Sequence, residues 1–327
     1  MITENVFRKV AWQKEVRLEQ TLTLSCYITE WMRTFKAYSV KQSTYDRLLT
    51  SAKAIEGFQI ASMPIGEITS IHIQKYVNEL AEYGYGLSTI KKQMRIVTAP
   101  LKQAAALHQI PADPAVGIRL PTRENVKKDE RAVEAYSPEE QEALFRVLDT
   151  NSRPGYAAIA LMIETGMRVG EVLALRWKDV QISRKRLAVR ATVVRLANKK
   201  LSYVQESAKS TSSNRTIPLT PRVIALLEHQ QQERINEWVF NNVDNERLSY
   251  EALRHQTRRL CEEAKVEYRG EHVFRHTFAT NCYYKGVNVK VLSKLLGHAD
   301  VNVTYNIYVH LYGDGFDEMY SALVSEK

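Results

Sequence analysis

The C-terminal part of the sequence contains several short motifs whose side chains could hold a phosphate. The first runs from Thr165 to Glu171, with the letters TGMRVGE. Arg168 is expected in the first turn of a helix, where free backbone N–H groups and the helix dipole already favour an anion. Glu171 lies three residues further along, on the same helical face, and can hold the guanidinium in place. Taken alone, the two side chains could equally form a surface ion pair.

A second candidate is Lys209, near the start of a polar loop of small residues between two predicted strands. The tip of a hairpin of this kind can carry an ammonium group into a groove or close it over a ligand. The same local sequence is also typical of a turn in which the lysine contacts only water. The position of Lys209 therefore does not by itself decide between these two interpretations.

The third motif is HVFRH, residues 272–276. Its i, i+3 spacing places His272 and Arg275 on one face of a helix, while nearby apolar residues form a separate stripe. Such a helix can pack through one face and present the other face to a ligand.

Two further motifs lie near the C-terminus. In Leu296-Gly297-His298 a glycine C-cap ends a helix, so that His298 leaves the helix at a fixed angle. Thr304 and Tyr308 share one side of the next predicted helix, and His310 follows Tyr308 closely. These positions add an imidazole and a phenol to the set of candidate functional groups.

The set predicts chemistry at a phosphoryl group rather than at a metal ion. Four of the eight histidines lie between residues 272 and 310, but there is no HExxH motif, no acidic ligand at helical spacing and no cysteine pair. We therefore predict no metal site and no other cofactor. Cationic groups and imidazoles can stabilise a phosphorane-like transition state without a metal, and a tyrosine can act as a covalent nucleophile.

The composition is typical of a globular protein that binds a polyanion. Lys and Arg number 46 against 37 Asp and Glu, a net charge of +9, and both the N-terminal part and the remainder are net basic. No apolar run approaches the roughly 18 residues of a membrane helix, and three widely separated cysteines predict reduced thiols. We expect an intracellular location and no membrane partner.

The elements that position these residues fall into two predicted domains. Apolar residues recur at helical spacing in four stretches, which predicts a four-helix bundle. Prolines and mixed charges then indicate a linker. We predict an N-terminal extension over 1–19, the helical domain over 20–117 and the linker over 118–135. The four stripes are Leu24, Ile28, Met32 and Phe35; Tyr45, Leu48, Ala52 and Ile55; Ile73, Tyr76, Val77 and Leu80; and Ile90, Met94, Val97 and Leu101.

The second predicted domain, 136–312, begins where Ser137, Pro138 and two acidic residues signal the start of a helix. Stretches rich in β-branched residues predict one short antiparallel sheet, so the fold class is mainly α with a small antiparallel β-sheet. Strands are predicted over 187–194, 201–205 and 215–219. Helices are predicted over 157–164, 169–175, 221–237, 250–264, 273–284, 289–296 and 303–312.

In this order the motifs resemble those of the tyrosine recombinase, or phage integrase, family of site-specific DNA recombinases. The neighbouring Tyr305 and Tyr312 could also be proposed as the nucleophile, but only Tyr308 has the spacing of the family to the threonine before it and the histidine after it. By this resemblance the catalytic residues are Arg168, Lys209, His272, Arg275, His298 and Tyr308, with Glu171 in a supporting role.

The resemblance implies an N-terminal core-binding (SAM-like) domain and a C-terminal catalytic domain that close around duplex DNA. Residues 313–327 are then a tail that docks on a neighbouring protomer. The 19 residues before the bundle are too few for the arm-binding domain that integrases of phages and conjugative elements often carry.

The implied activity is cleavage and rejoining of DNA through a 3′-phosphotyrosine intermediate and a Holliday junction, without metal or ATP. The implied partners are double-stranded recombination sites, a homotetramer on DNA, and accessory DNA-bending or excision factors. The implied location is the bacterial cytoplasm or nucleoid. A type IB topoisomerase-like strand transferase and a non-catalytic DNA-binding regulator on the same fold are the alternatives. Relaxation of supercoils without a preferred site would distinguish the first of these.

Overall fold

A computed structural model describes residues 22–126, 135–195, 202–206, 214–298 and 300–305 of the chain. The predicted N-terminal extension, residues 127–134 of the predicted linker, Lys209, Tyr308 and the predicted tail lie outside the described residues. Those that are described form two compact units, one made of 22–126 and Arg195 and one made of the other segments from residue 135 onward. Within the described ranges, no helix is long and apolar enough to cross a membrane.

The N-terminal unit contains the four predicted helices. They are α1 (Leu24–Trp31), which continues into a π-helical turn (Met32–Lys36), α2 (Gln42–Lys53), α3 (Ser70–Glu82) and α4 (Leu87–Ala106). Three short 3-10 turns, Ala54–Gly57, Gln59–Ser62 and Ile65–Glu67, connect α2 to α3.

The predicted apolar stripes of these helices face one common core, with one exception. Phe35 is exposed, although its spacing from Leu24 and Ile28 predicted burial. The π-helical turn explains the difference: the Ala37 N–H donates to the carbonyl of Met32, five residues back, at 3.0 Å. This wider winding rotates Phe35 away from the buried face.

In the C-terminal unit, Ser137 caps α5 (Pro138–Thr150), which begins at the predicted position. Its hydroxyl accepts a hydrogen bond from the backbone N–H of Glu140, and the Glu140 carboxylate accepts one from the N–H of Ser137 at 2.8 Å. The helices that follow are α6 (Tyr156–Thr165), α7 (Val169–Leu173), α8 (Pro221–Gln232), α9 (Tyr250–Ala264), α10 (His272–Tyr284) and α11 (Val289–Leu296).

The predicted fold class is confirmed, because the C-terminal unit is mainly helical with a small amount of antiparallel β-structure, which the described residues divide between two sheets rather than one. Strands β1 (Val180–Gln181), β2 (Arg186–Val189) and β5 (Arg215–Pro218) form an antiparallel sheet in which Leu187 pairs with Ile217. Strands β3 (Ala191–Arg195) and β4 (Ser202–Glu206) form the other. The predicted strand 187–194 breaks at Arg190, where the hydrogen-bonding partner changes. Every second residue is buried on both sides of the break. The alternation in the sequence therefore predicts one uninterrupted strand and gives no sign of the break.

Gly166 sets how closely α6 approaches α10. It ends α6 in the left-handed conformation, with φ of +64°. A Cβ atom at this position would lie 2.5 Å from Cδ1 of Phe278 and 2.9 Å from Cδ2 of Leu296. A glycine is therefore required both for the backbone angle and for the close packing against α10 and α11.

Candidate active site

Three guanidinium groups converge on the C-terminal end of α11. Nε of Arg215 donates to the carbonyl of Leu295 at 2.6 Å, and Nη2 of Arg275 donates to the carbonyl of Leu296 at 2.6 Å. Nη2 of Arg168 donates to the carbonyl of Gly297 at 3.2 Å. The last carbonyls of a helix have no partner within it and carry the negative end of its dipole. The end of α11 therefore stabilises three cations close to one another.

Arg168 lies at the start of α7, as the sequence predicted, and occupies the N-cap position. Its backbone N–H donates to Oε2 of Glu171 at 2.9 Å, and its Nη1 donates to Oε1 at 3.0 Å. The Arg168 side chain is 39% exposed. The guanidinium is thus held from one side and open to a ligand from the other.

Glu171 is only 7% exposed and contacts a second arginine besides Arg168. Nη1 and Nη2 of Arg215 donate to Oε1 and Oε2 of Glu171 at 2.9 and 2.7 Å. Burial alone would raise the pKa of Glu171, but the hydrogen bonds and charge of Arg215, followed by Arg168, hold it below its usual value. Glu171 is therefore ionised at neutral pH.

Arg215 was not among the predicted site residues. The sequence indicated it only as the first residue of the predicted strand 215–219. Its contact with Glu171 joins residues 44 positions apart, a pairing that no local spacing predicts.

Arg275 is buried, and backbone carbonyls hold its guanidinium. Besides Leu296, its Nη1 donates to the carbonyl of Gly166 at 2.9 Å. Burial, and then the charge of Arg168, lower the pKa of Arg275 to about 9, so it remains protonated at neutral pH. Arg168 and Arg275 share the carbonyl of Leu296 as an acceptor, at 3.5 and 2.6 Å.

His298 follows the C-cap Gly297, whose φ of +70° turns the chain out of α11 as predicted. Its Nδ1 lies 2.6 Å from the hydroxyl oxygen of Thr304, a fully buried residue. Burial, and then the charges of Arg275 and Arg168, lower the pKa of His298 to about 4. The imidazole is therefore neutral at pH 7 and can donate one hydrogen bond.

His272 is the first residue of α10, one turn before Arg275. Partial burial of the ring, and then the charges of Arg275 and Arg168, lower its pKa. His276, which sequence reasoning did not select, is half-buried, and burial followed by His272 lowers its pKa. His276 in turn contributes to the lowered pKa of His298. The arginine charges thus act on histidines of α10 and on His298 after the end of α11.

The structure brings together every predicted site residue that it describes, namely Arg168, Glu171, His272, Arg275 and His298. The arginines at the end of α11 outnumber the one carboxylate among them, Glu171, so the cluster has excess positive charge. Such a site favours an oxyanion that offers several acceptors, and a phosphate does so. Over the described ranges, no group of three or more His, Cys, Asp or Glu side chains could hold a metal ion.

Comparisons with known proteins agree with this geometry. Residues 135–314 match the phage integrase family, and residues 23–81 match the phage integrase N-terminal SAM-like domain. A XerC-like tyrosine recombinase of Caldanaerobacter subterraneus subsp. tengcongensis is 28% identical over 316 residues, which cover 89% of this chain and 80% of that protein.

Two solved structures share the fold. The Tn1549 transposon integrase in complex with transposon right end DNA is 19% identical, with a TM-score of 0.79 over 93% of this chain and all of that one. A lambda integrase tetramer bound to a Holliday junction is 18% identical, with a TM-score of 0.66 over 94% of this chain and 85% of that one. The family match favours a recombinase over a topoisomerase or a non-catalytic regulator. The chain therefore belongs to the phage integrase family and is a tyrosine recombinase.

Proposed function

We propose that Tyr308 attacks a phosphodiester of duplex DNA and that Arg168 and Arg275, at the end of α11, bind that phosphate. The tyrosine oxygen forms a bond to phosphorus, and the bond from phosphorus to the 5′-oxygen breaks. The products are a 3′-phosphotyrosine and a free 5′-hydroxyl, which later attacks the partner strand. The main support is the excess positive charge of Arg168, Arg215 and Arg275 over Glu171.

Each polar side chain of the site has a role in this proposal. Arg168 and Arg275 neutralise the non-bridging oxygens, and neutral His298 donates a hydrogen bond to one of them. His272 accepts the proton of the tyrosine, and Lys209 gives a proton to the leaving 5′-oxygen. Glu171 orients Arg168. The covalent intermediate conserves the bond energy, so the reaction uses neither metal nor ATP.

The contact of His298 with Thr304 suggests which nitrogen donates. When the Thr304 hydroxyl donates to Nδ1, the ring hydrogen is on Nε2, the nitrogen on the opposite side of the ring. This tautomer allows His298 to act as a donor toward the phosphate.

We propose further that the predicted helical domain, residues 20–117, is the core-binding domain. Helix α4 supports this role, because four basic residues on it are exposed while its apolar residues face the core. Basic side chains along one helix bind a phosphate backbone independently of sequence. The four residues are Lys91, Lys92, Arg95 and Lys102.

The proposed assembly is a homotetramer on two recombination sites in the bacterial cytoplasm, with strand exchange through a Holliday junction. The linker covers 118–135 and the catalytic domain 136–312, and the tail 313–327 docks on a neighbouring protomer.

Deletion of 316–327 should leave single-site binding intact but weaken synapsis and recombination. Equal recombination by the truncated protein at the same concentration would contradict docking between protomers. We also propose that accessory DNA-bending or excision factors act together with the recombinase.

Covalent capture of DNA tests the chemistry. Duplexes selected from a random-sequence pool by binding to the full chain supply the substrate, with nicks placed along one strand so that a cleaved strand cannot be resealed. We expect the wild-type chain to form a covalent adduct in EDTA and without nucleotide. Tyr308→Phe should bind the same duplexes and form no adduct, because it lacks only the attacking oxygen.

Tyr305→Phe is the matched control. Tyr305 is an exposed tyrosine three residues before Tyr308, and its removal should leave adduct formation intact. An adduct formed by Tyr308→Phe, or strict dependence of cleavage on magnesium, would contradict the proposed chemistry.

A further inference from the structure

We propose that Arg215 is a positioning residue for DNA cleavage: it fixes Glu171 and, through Glu171, the guanidinium of Arg168 that binds the phosphate. This inference rests on the proposed function of the site. Arg215 would join the predicted site residues as a side chain that acts on the reaction without contacting a reacting atom.

The contacts of Arg215 all point into the protein. It is the first residue of β5, where it pairs with Val189 of β2. Its Nε, Nη1 and Nη2 atoms all donate to protein oxygens, one to the carbonyl of Leu295 and two to the carboxylate of Glu171. Its side chain is 7% exposed, against 39% for Arg168. Each side-chain nitrogen of Arg215 therefore already has a protein acceptor, and the side chain is far less exposed than that of Arg168.

The bonding pattern at Glu171 explains how Arg215 acts at a distance. Oε1 accepts from Nη1 of Arg168 and Nη1 of Arg215, and Oε2 accepts from the backbone N–H of Arg168 and Nη2 of Arg215. Each carboxylate oxygen thus binds one donor from each arginine. A bidentate arginine fixes the plane of a carboxylate, which one point contact cannot do. Without Arg215, Glu171 can rotate and no longer holds Arg168 in one position.

Arg215 also connects Glu171 to α11. The bond to Leu295 places the Arg215 guanidinium one carbonyl away from the acceptor that Arg275 and Arg168 share. Together with the bonds from Arg168 itself to the end of α11, Arg215 therefore links α7, which positions Arg168, to α11, which holds Arg275 and leads to His298. A shift of about 1 Å in such a group can slow a reaction by about 100-fold.

Four variants test the proposal. Arg215→Lys keeps the positive charge but loses the planar guanidinium that binds both oxygens of Glu171. Arg215→Gln loses the charge as well as the guanidinium. Arg222→Lys and Arg222→Gln are the matched controls, because Arg222 in the same unit also contacts two acids, Asp149 and Glu164, but is 43% exposed. Thermal unfolding of each variant sets a temperature at which all of them are folded. Binding to the selected duplexes and the rate of covalent capture at saturating DNA are then measured there.

We expect both Arg215 variants to bind DNA about as tightly as the wild type. Their capture rates at saturating DNA should fall, by about 10-fold for Arg215→Lys and about 100-fold for Arg215→Gln. The Arg222 variants should cleave at the wild-type rate. A merely structural role predicts a loss that follows the folded fraction and disappears where all variants are folded. Wild-type capture rates for both folded Arg215 variants would overturn the proposal.

A double-mutant cycle with Glu171→Gln tests the route of the effect. If Arg215 acts through Glu171, the double variant should cleave at about the rate of Glu171→Gln alone. Losses that multiply would show that Arg215 acts independently of Glu171 and would overturn the positioning role. A wild-type chain that forms no adduct would instead contradict the proposed function, and the positioning role would fall with it.

Discussion

Two ion-pair clusters of the C-terminal unit use the same residue types in opposite ratios. At Glu171, one buried carboxylate contacts two arginines, Arg168 and Arg215. At Arg222, one exposed guanidinium contacts two carboxylates, binding Asp149 at 2.6 Å and Glu164 at 3.8 Å. The first cluster has an excess of positive charge and the second an excess of negative charge.

The difference shows which charges are structural and which are available to a ligand. Exposed ion pairs contribute about 0 to 1 kcal/mol because water already solvates their partners. Buried charges are costly to desolvate, and a buried excess of one sign is costlier still. The cluster at Arg222 is satisfied as it stands, whereas the cluster at Glu171 reaches its lowest energy when an anion binds the arginines. The following changes test this contrast, starting with the largest expected effect.

Removing the exposed guanidinium of the buried cluster should have the largest effect. Arg168→Ala should slow covalent capture of DNA by about 100- to 1000-fold, as expected for a donor to a phosphoryl transition state. Arg222→Ala should change the rate less than about twofold, because its contacts lie on the surface. Capture is measured under single-turnover conditions at saturating DNA. Equal rates for the two variants would remove the functional distinction between the clusters.

Removing the shared carboxylate should reduce stability. Glu171→Ala leaves the arginines without a counter-charge in a buried site, so the free energy of unfolding should fall by about 3 kcal/mol. Asp149→Ala, which removes an exposed carboxylate from the other cluster, should cost less than about 0.5 kcal/mol. Urea unfolding of both variants measures the difference. Similar losses would mean that burial does not distinguish the two clusters.

The contact between His298 and Thr304 should have a smaller effect. Thr304→Val removes the hydroxyl that orients the imidazole, and loss of one hydrogen bond of about 1 kcal/mol predicts a capture rate about fivefold lower. Thr257→Val is the control, because Thr257 is equally buried but donates to the carbonyl of Leu253 on α9. A rate unchanged by Thr304→Val would exclude an orienting role for the hydroxyl.

Burial of the histidines, and then the charge of the arginine cluster, should also appear in the pH dependence of stability. An unfolded histidine takes up a proton near its ordinary pKa of 6.5, whereas folded His298 does so only near 4. The unfolded state therefore binds more protons in this window, and stability should fall as the pH is lowered from about 6.5 to 4. His272 and His276 contribute in the same direction.

Thermal unfolding of the chain without DNA at several pH values measures this effect. His298→Gln should lose less of its melting temperature on acidification than the wild type does. His229→Gln, which alters an exposed histidine on α8, should follow the wild type. Identical pH profiles for His298→Gln and the wild type would contradict the lowered pKa of His298.

Much of the fold follows from sequence alone, because the signals are local. Helices 250–264 and 289–296 have the bounds that apolar periodicity and caps predicted. The capping box at Ser137, the glycine that ends α11 and the adjacency of Arg168 and Glu171 each depend on residues within one or two turns. Interactions between residues this close in the chain can be predicted from the spacing of those residues in the sequence.

The tertiary structure decides what depends on distant partners. The break at Arg190 follows from a change of strand partner, since the alternation of buried residues continues through it. The pairing of Arg215 with Glu171, and the convergence of three arginines on α11, depend on backbone carbonyls and on residues far apart in the chain. Every residue except proline offers the same backbone donor and acceptor, so a carbonyl that binds an arginine has no signature in the sequence.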